Sequence, residues 1–351
     1  MQIDQPGRSR KGEEIDLARL NDYIKSRTPE IGKALSQHQF PGGFSNLTYL
    51  LTTDVGEFIL RRPPFGAAIK SAHDMGREFK VLSLLRNHYP KVPKPFLHCD
   101  DVEVIGSPFY IMERIKGIIL RPASVKEIKF SPTEMRQLSE SLVDNLVDLH
   151  AIDIHQAGLD PLGKPEGYIR RQVEGWSKRY IVAQTESIAN MDALSTWLVT
   201  NQPADGPPAM LHNDYKYDNL VFREHSTSEI IGVLDWEMAT IGDPWMDVGA
   251  SLAYWAEETD GELARLFNIS WLPGNLSRQE VVDRYIQRSG RSMPNPVFYY
   301  VFGLFKNGVI AQQIFSRWKQ GHSTDPRFGG LIHVIHDLGR RGVSAIDKNK
   351  I

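Results

Sequence analysis

The chain has one cysteine, Cys99, among its 351 residues. That excludes an internal disulfide framework and a multi-cysteine metal centre, and it fits a reducing, cytoplasmic compartment. No stretch approaches the ~20 consecutive apolar residues that a membrane span requires. Charge of one sign is not in excess: Lys plus Arg is 41, Asp plus Glu is 43, and the formal net charge is −2. The surface as a whole therefore offers no general attraction for nucleic acid or anionic membrane, and neither is expected as a partner. No internal repeat and no low-complexity block is present. The stretch through Glu14 is polar and lacks the apolar run of a secretory leader. Pro6, Gly7, Ser9 and Gly12, set among Arg8, Arg10 and Lys11, read as a mobile tail over residues 1–12.

What is present is ordinary globular material, 41% hydrophobic and 24% charged, in a length that suits one large domain or two moderate lobes. Leu17, Leu20 and Ile24 recur at helical spacing. Leu47 to Thr53 and Glu57 to Arg62 are β-rich runs joined by Asp54-Val55-Gly56, a hairpin signal. Met75, Phe79, Leu82 and Leu85 define a helix from about Asp74 to Asn87, and Lys94 to Cys99 and Pro108 to Glu113 read as further strands. After Arg114 the pattern changes. Ser131-Pro132-Thr133-Glu134 and Ser277-Arg278-Gln279-Glu280 are capping boxes. Helices follow over Ser131 to His150, Tyr168 to Ala183 and Met191 to Leu198. Pro203, Gly206, Pro207 and Pro208 form a linker. Leu220 to Arg223 and Glu229 to Leu234 form a short hairpin, and an aromatic helical segment runs from Val297 to Lys319. The expected class is α+β: a small antiparallel β-rich lobe over residues 13–114, then a large, mostly helical lobe over 115–351.

The chemistry is concentrated in His212-Asn213-Asp214-Tyr215-Lys216-Tyr217-Asp218-Asn219, a His-x-Asp-x-x-x-x-Asn pattern, followed after the short hairpin by Asp235-Trp236-Glu237. A hairpin returns the chain towards its start, so Asn219 and Asp235 are expected to converge. Their oxygens are hard donors suited to Mg²⁺ held between nucleotide phosphates. Asp214 would orient an acceptor hydroxyl and take its proton.

These residues resemble the catalytic loop and metal-binding Asp of the protein kinase-like fold. Asp-Trp-Glu in place of Asp-Phe-Gly is similar to the aminoglycoside phosphotransferase branch, which includes choline and homoserine kinases. Within it, the chain resembles the kinase-like domain fused to, or encoded beside, acyl-CoA dehydrogenases. That likeness rests also on Phe40-Pro41-Gly42-Gly43-Phe44-Ser45-Asn46, Phe58-Ile59-Leu60-Arg61-Arg62-Pro63-Pro64, Met112-Glu113-Arg114 and Gly232-Val233-Leu234, and spans roughly residues 30 to 340. The resemblance implies a two-lobed protein kinase-like fold that uses ATP, with GTP as an option, and Mg²⁺.

Residue by residue, Gly42, Gly43, Phe44, Ser45 and Asn46 would form the turn over the phosphates; by itself the stretch also fits an ordinary hairpin turn. Arg61 falls where the family usually has a strand lysine; if the register is off by one, Arg62 takes that place. Glu78 would pair with the cation. Met112, Glu113 and Arg114 would be the hinge that receives adenine. Asp214 and Lys216 would act on the transferring group, with Asn219, Asp235 and Glu237 as metal ligands. His212 reads as a residue that holds the loop, Asp218 as a neighbour of the metal site, and Asp243 and Asp247 as caps or braces of the next helix.

For the acceptor, Arg170 and Arg171 on the helix from Tyr168 point to an anionic molecule if that face lines the cleft. Arg170, Glu174 and Lys178 equally fit a salt-bridged exposed face. Trp236 would add apolar wall or lie in the core. A hydroxyacyl or hydroxy-acid acceptor is expected, with an acyl-CoA dehydrogenase acting in the same pathway. Three other readings stay open: a catalytically weak nucleotide-binding pseudokinase, an aminoglycoside or amino-alcohol kinase, and a metal-dependent hydrolase built on Asp235, Glu237, Asp243 and Asp247.

Overall fold

The computed structural model describes residues 5–40, 46–64, 74–122, 129–224, 226–322 and 325–351. In chain order the main elements begin with α1 (Leu17–Arg27), β1 (Ala34–Gln39), β2 (Leu47–Thr53), β3 (Glu57–Arg62) and α2 (Met75–Leu85). Then come β4 (Pro95–Cys99), α3 (Val102–Ile105), β5 (Phe109–Glu113), α4 (Pro132–His150), α5 (Tyr168–Ala183), α6 (Ala189–Thr200) and β6 (Ala209–Leu211). The chain continues through β7 (Leu220–Arg223), β8 (Ser226–Val233), β9 (Thr240–Gly242), α7 (Pro244–Tyr254) and α8 (Glu262–Arg265). It closes with α9 (Arg278–Ser289), α10 (Pro296–Lys319) and α11 (Leu331–Lys348). The α+β expectation holds. The chain divides into two compact units, one of residues 1–119, 220–226 and 230–239, the other of 120–219, 227–229 and 240–351.

The first unit is an antiparallel sheet in the order β1-β2-β3-β5-β4. Tyr49, Leu51, Leu60, Phe109 and Ile111 bury one face of it against Leu20 and Ile24 of α1. Helix α2 begins at Asp74, whose carboxylate accepts the Arg77 N–H, and it buries Met75, Glu78, Val81, Leu82 and Leu85 along one stripe. The stretch expected as a tail meets the edge strand: Gly7 and Gln39 exchange backbone hydrogen bonds of 2.9 and 3.0 Å, and the Arg10 N–H donates to the Gln39 side chain.

The division also differs from a single cut at residue 114. The β7–β8 hairpin belongs mostly to the first unit, because Ile118 bridges Phe222 and the Val233 N–H donates to the Lys91 carbonyl. Gly117 makes that approach feasible, since a Cβ there would lie 2.5 Å from the Phe222 carbonyl oxygen.

The second unit is helical. Both expected capping boxes form, at Ser131–Glu134 and Ser277–Glu280. The 24-residue α10 is buried along most of its length, among α5, α6, α7 and α11. Strands β6 and β9 pair as a two-stranded ribbon before α7. Among the described residues no helix is long and apolar enough to cross a membrane.

Candidate active site

In the first unit the set gathers on Arg61. It lies near the end of β3, opposite Thr48 and Tyr110, and its side chain is 9% exposed. One guanidinium nitrogen meets Glu78 Oε1 at 2.6 Å and another meets Asp235 Oδ1 at 2.9 Å. Glu78 reaches this point because it sits on the buried stripe of α2. Its Oε1 also accepts the Trp236 N–H at 3.3 Å. Burial works against the Arg61 charge, but Glu78, Tyr110 and Asp235 outweigh it and hold the guanidinium above its ordinary range. Burial lifts the Glu78 carboxyl above its usual range even against the pull of Arg61. Asp235 has a left-handed backbone, φ +67°, an uncommon conformation that aspartate tolerates better than most residues. Asn46 donates to Glu237 Oε2 at 2.8 Å.

Arg61, not Arg62, therefore meets Glu78. Alternation along the strand turns Arg62 to the other face, where it lies 5.8 Å over the Tyr49 ring and donates to the Ile105 carbonyl. Trp236 is a correction to the expected substrate wall. It is 1% exposed, packs on Tyr89 and donates its indole N–H to the Val233 carbonyl, so it is core. At the expected hinge, Met112 is buried and Glu113 donates its N–H to the Lys94 carbonyl. Arg114 meets Glu57 at 2.8 Å. Gly42, Gly43, Phe44 and Ser45 lie outside the described residues; Asn46 does not.

In the second unit the His212–Asn219 loop is bound from below by Asp247 of α7. Asp247 Oδ2 accepts the His212 N–H at 2.7 Å and Oδ1 accepts the Asn213 N–H at 2.8 Å. His150 Nε2 approaches Oδ2 at 3.2 Å, and its Nδ1 meets the Tyr285 hydroxyl at 2.7 Å. Burial would raise the Asp247 carboxyl, but His150 and the loop amides outweigh it and hold it below the usual carboxylate range. Asp243, by contrast, caps α7 through the Trp245 N–H, and burial pushes its carboxyl up. His212 holds the loop through its ring: Nδ1 accepts the Asp214 N–H at 3.2 Å. Asn213 has φ +66°, the second non-glycine left-handed residue next to the chemistry.

This turn presents Asp214. Asn219 Nδ2 donates to the Asp214 carbonyl at 2.8 Å and to Oδ2 at 2.9 Å. The amide geometry then turns Asn219 Oδ1 away from Asp214, as a metal donor would need. Lys216 Nζ lies 3.3 Å from Asp214 Oδ2 and 3.8 Å from Asp218, over the Tyr254 ring at 4.5 Å. Tyr254, which sequence reading missed, has its hydroxyl pushed up by burial and by the nearby Asp214 charge. Lys306 was missed too, although a lysine inside the apolar run of α10 was a signal. On α5, Arg170 and Arg171 are exposed, and the Arg171 guanidinium donates to the carbonyls of Lys164 and Glu166.

Do these side chains suit magnesium? Asp235 and Glu237 of the first unit each offer hard oxygens, as does Asn219 of the second. Among the described residues no group of three or more His, Cys, Asp or Glu forms a self-sufficient metal cage. That composition suits an ion held by one or two carboxylates together with substrate phosphates and water.

Residues 36–281 match the model of the APH phosphotransferase enzyme family. Acyl-CoA dehydrogenase family member 11 of Rattus norvegicus is 36% identical over 337 residues, covering 94% of this chain and 43% of that protein. The Homo sapiens protein of the same name is 32% identical over 329 residues, covering 93% and 42%. The chain thus spans less than half the length of these curated relatives. A Ralstonia eutropha JMP134 structure of the aminoglycoside phosphotransferase class superposes with a TM-score of 0.81 at 29% identity, over 95% of this chain and 99% of that one. Choline kinase from Cryptosporidium parvum Iowa II gives 0.61 at 14% identity, over 95% and 97%, a likeness of fold alone.

Proposed function

Since this chain belongs to the phosphotransferase enzyme family, we propose that it moves the γ-phosphoryl group of ATP, with Mg²⁺, to a hydroxyl of an anionic small molecule. The observation that carries this reading is the bonding around Asp214, whose carboxylate is held by Asn219 and Lys216. Asp214 would accept the hydroxyl proton as the new O–P bond forms and the bond from the γ-phosphorus to the leaving ADP oxygen breaks. Lys216 would balance charge on the transferring group. Asn219, Asp235 and Glu237 would serve as metal ligands, and Arg61 would face phosphate from its Glu78 anchor. Bound magnesium would supply neutralisation of phosphate charge.

The names of its relatives and the charge on α5 support an anionic acceptor. The curated relatives carry the words acyl-CoA dehydrogenase, and a homoserine kinase of Brucella canis is 25% identical over 257 residues. Exposed Arg170 favours a carboxylate or phosphate on the acceptor over a polycationic aminoglycoside. A hydroxyacyl thioester or hydroxy acid fits, because phosphorylation turns its hydroxyl into a leaving group for elimination, upstream of dehydrogenase chemistry in the cytoplasm. The test is transfer from labelled ATP to a panel of hydroxyacyl-CoAs, hydroxy acids and aminoglycosides. Asp214→Asn should lower turnover by about 10²–10⁴-fold. Unchanged turnover would remove Asp214 from the mechanism, and a preference for aminoglycosides would overturn the acceptor class.

A second reading, a nucleotide-binding module with little turnover, is favoured by arginine at position 61. A guanidinium bridging two carboxylates is bulkier and less mobile than an ammonium. It requires nucleotide-dependent thermal stabilisation with no phosphorylated product from the same panel.

A further inference from the structure

Beneath the loop that carries Asp214 lies a charge with no assigned task. Lys306 sits in the middle of α10 and is 2% exposed. Its ammonium has three donors and no acceptor capacity. Among the described residues it bonds one group, the carbonyl oxygen of Asn213, at 2.5 Å. No carboxylate among them lies within ion-pair distance. A buried ammonium without a counter-charge in contact is costly, and among its immediate neighbours on this helix Leu304 and Phe305 are apolar while Asn307 is polar but uncharged.

The placement is built by the packing of two helices. A Cβ on Gly303 would lie 2.1 Å from the Gly249 carbonyl oxygen, and one on Gly249 would lie 2.2 Å from the Tyr299 carbonyl oxygen. α7 and α10 therefore cross in backbone contact. Lys306 follows Gly303 by three residues and shares its side of the helix. Asp247 precedes Gly249 by two and takes the loop amides.

Asn213 is consequently gripped at three points: its N–H by Asp247 at 2.8 Å, its carbonyl by Lys306, and its side chain by the Tyr168 hydroxyl at 3.3 Å. The carbonyl matters most. It belongs to the same rigid peptide plane as the Asp214 N–H, which points at His212. Fixing that oxygen fixes the plane from which the Asp214 side chain departs.

We infer that Lys306 is a positioning residue that sets the direction of the Asp214 carboxylate by holding the Asn213–Asp214 peptide plane. The inference takes from the phosphotransfer reading what Asp214 does, but what Lys306 holds is independent of it. The charged groups facing Lys306 are Asp214 and Lys216 of the loop, Asp247 of α7 and Arg179 of α5, with the Trp176 ring 5.9 Å away. Burial lowers its ammonium to about 8, with Asp214 and Asp247 holding it up against Lys216 and Arg179.

Lys306→Met keeps the stem and removes the charge. Its kcat should fall at least about tenfold, with the KM for ATP within about twofold. Its Tm should hold or rise, because a buried charge is gone. Wild-type kcat should decline as the pH passes about 8, and the Met variant should lose that limb. Amide hydrogen exchange at 212–215 should quicken. Lys306→Gln, which keeps an N–H donor, should recover part of kcat and serves if the Met variant does not fold. Unchanged kcat, identical pH profiles or unchanged exchange would overturn the inference. A wild-type chain that phosphorylates nothing would overturn the functional reading instead, and exchange at 212–215 would then decide the role of Lys306 alone.

Discussion

Asp247 illustrates how a residue outside the motif controls it. Its carboxylate satisfies two consecutive loop amides and His150 in a fully buried site, and such charge-assisted bonds are the strong ones. Because its folded-state carboxyl sits below the ordinary range, its contribution is complete at neutral pH. It is lost as the pH falls from the usual carboxylate value of ~4 towards the lower folded one. Asp247→Asn should therefore cost about 3 kcal/mol at pH 7, and the gap in Tm from the wild type should narrow as the pH is taken from 6 to 3. A gap constant with pH would mean that the charge plays no part. His212, Asp214 and Asn219 were legible in the sequence because their spacing within one loop is itself the signal. Lys306, Tyr254 and His150 come to that loop from distant helices. A lysine in the middle of a mostly apolar helix says that something polar must be met, but not where.

At the scale of elements, periodicity and capping chemistry carried most of the reading. The runs at Leu47–Thr53 and Glu57–Arg62 are strands to the residue, and the two Ser-x-x-Glu boxes start α4 and α9. Strand β1 escaped notice because Ala-Leu-Ser-Gln-His-Gln is a polar edge strand whose pairing partner, β2, supplies the apolar face. The three-residue β6 and β9 are too short to show alternation. Glycines were equally silent: nothing in the sequence separates Gly249 and Gly303, which seat α7 against α10, from a turn glycine. Gly303→Ala should destabilise the protein by about 3 kcal/mol or more, since its methyl group would collide with a backbone carbonyl that cannot rotate away. Chemical denaturation would read this as a lowered midpoint. A midpoint within error of the wild type would show that the two helices can slide apart at little cost.

Over the whole chain, patterning suggests one boundary, near residue 114, and is silent about the return of later segments to the first unit. Local patterning identifies a hairpin but not the unit that buries it. The first unit takes residues 220–226 and 230–239 back from beyond the second unit's first hundred residues. That returning stretch delivers Trp236 to Tyr89 and Asp235 to Arg61. A fragment ending at Ile119 should therefore show no cooperative thermal transition, whereas the full chain should; a sharp melt of the fragment would contradict this. The same threading bears on recombination. A chimaera that borrows the N-terminal half of a relative by one splice would inherit an arginine from one parent and its aspartate from the other. A working graft has to transplant the 230–239 stretch together with the sheet that carries Arg61.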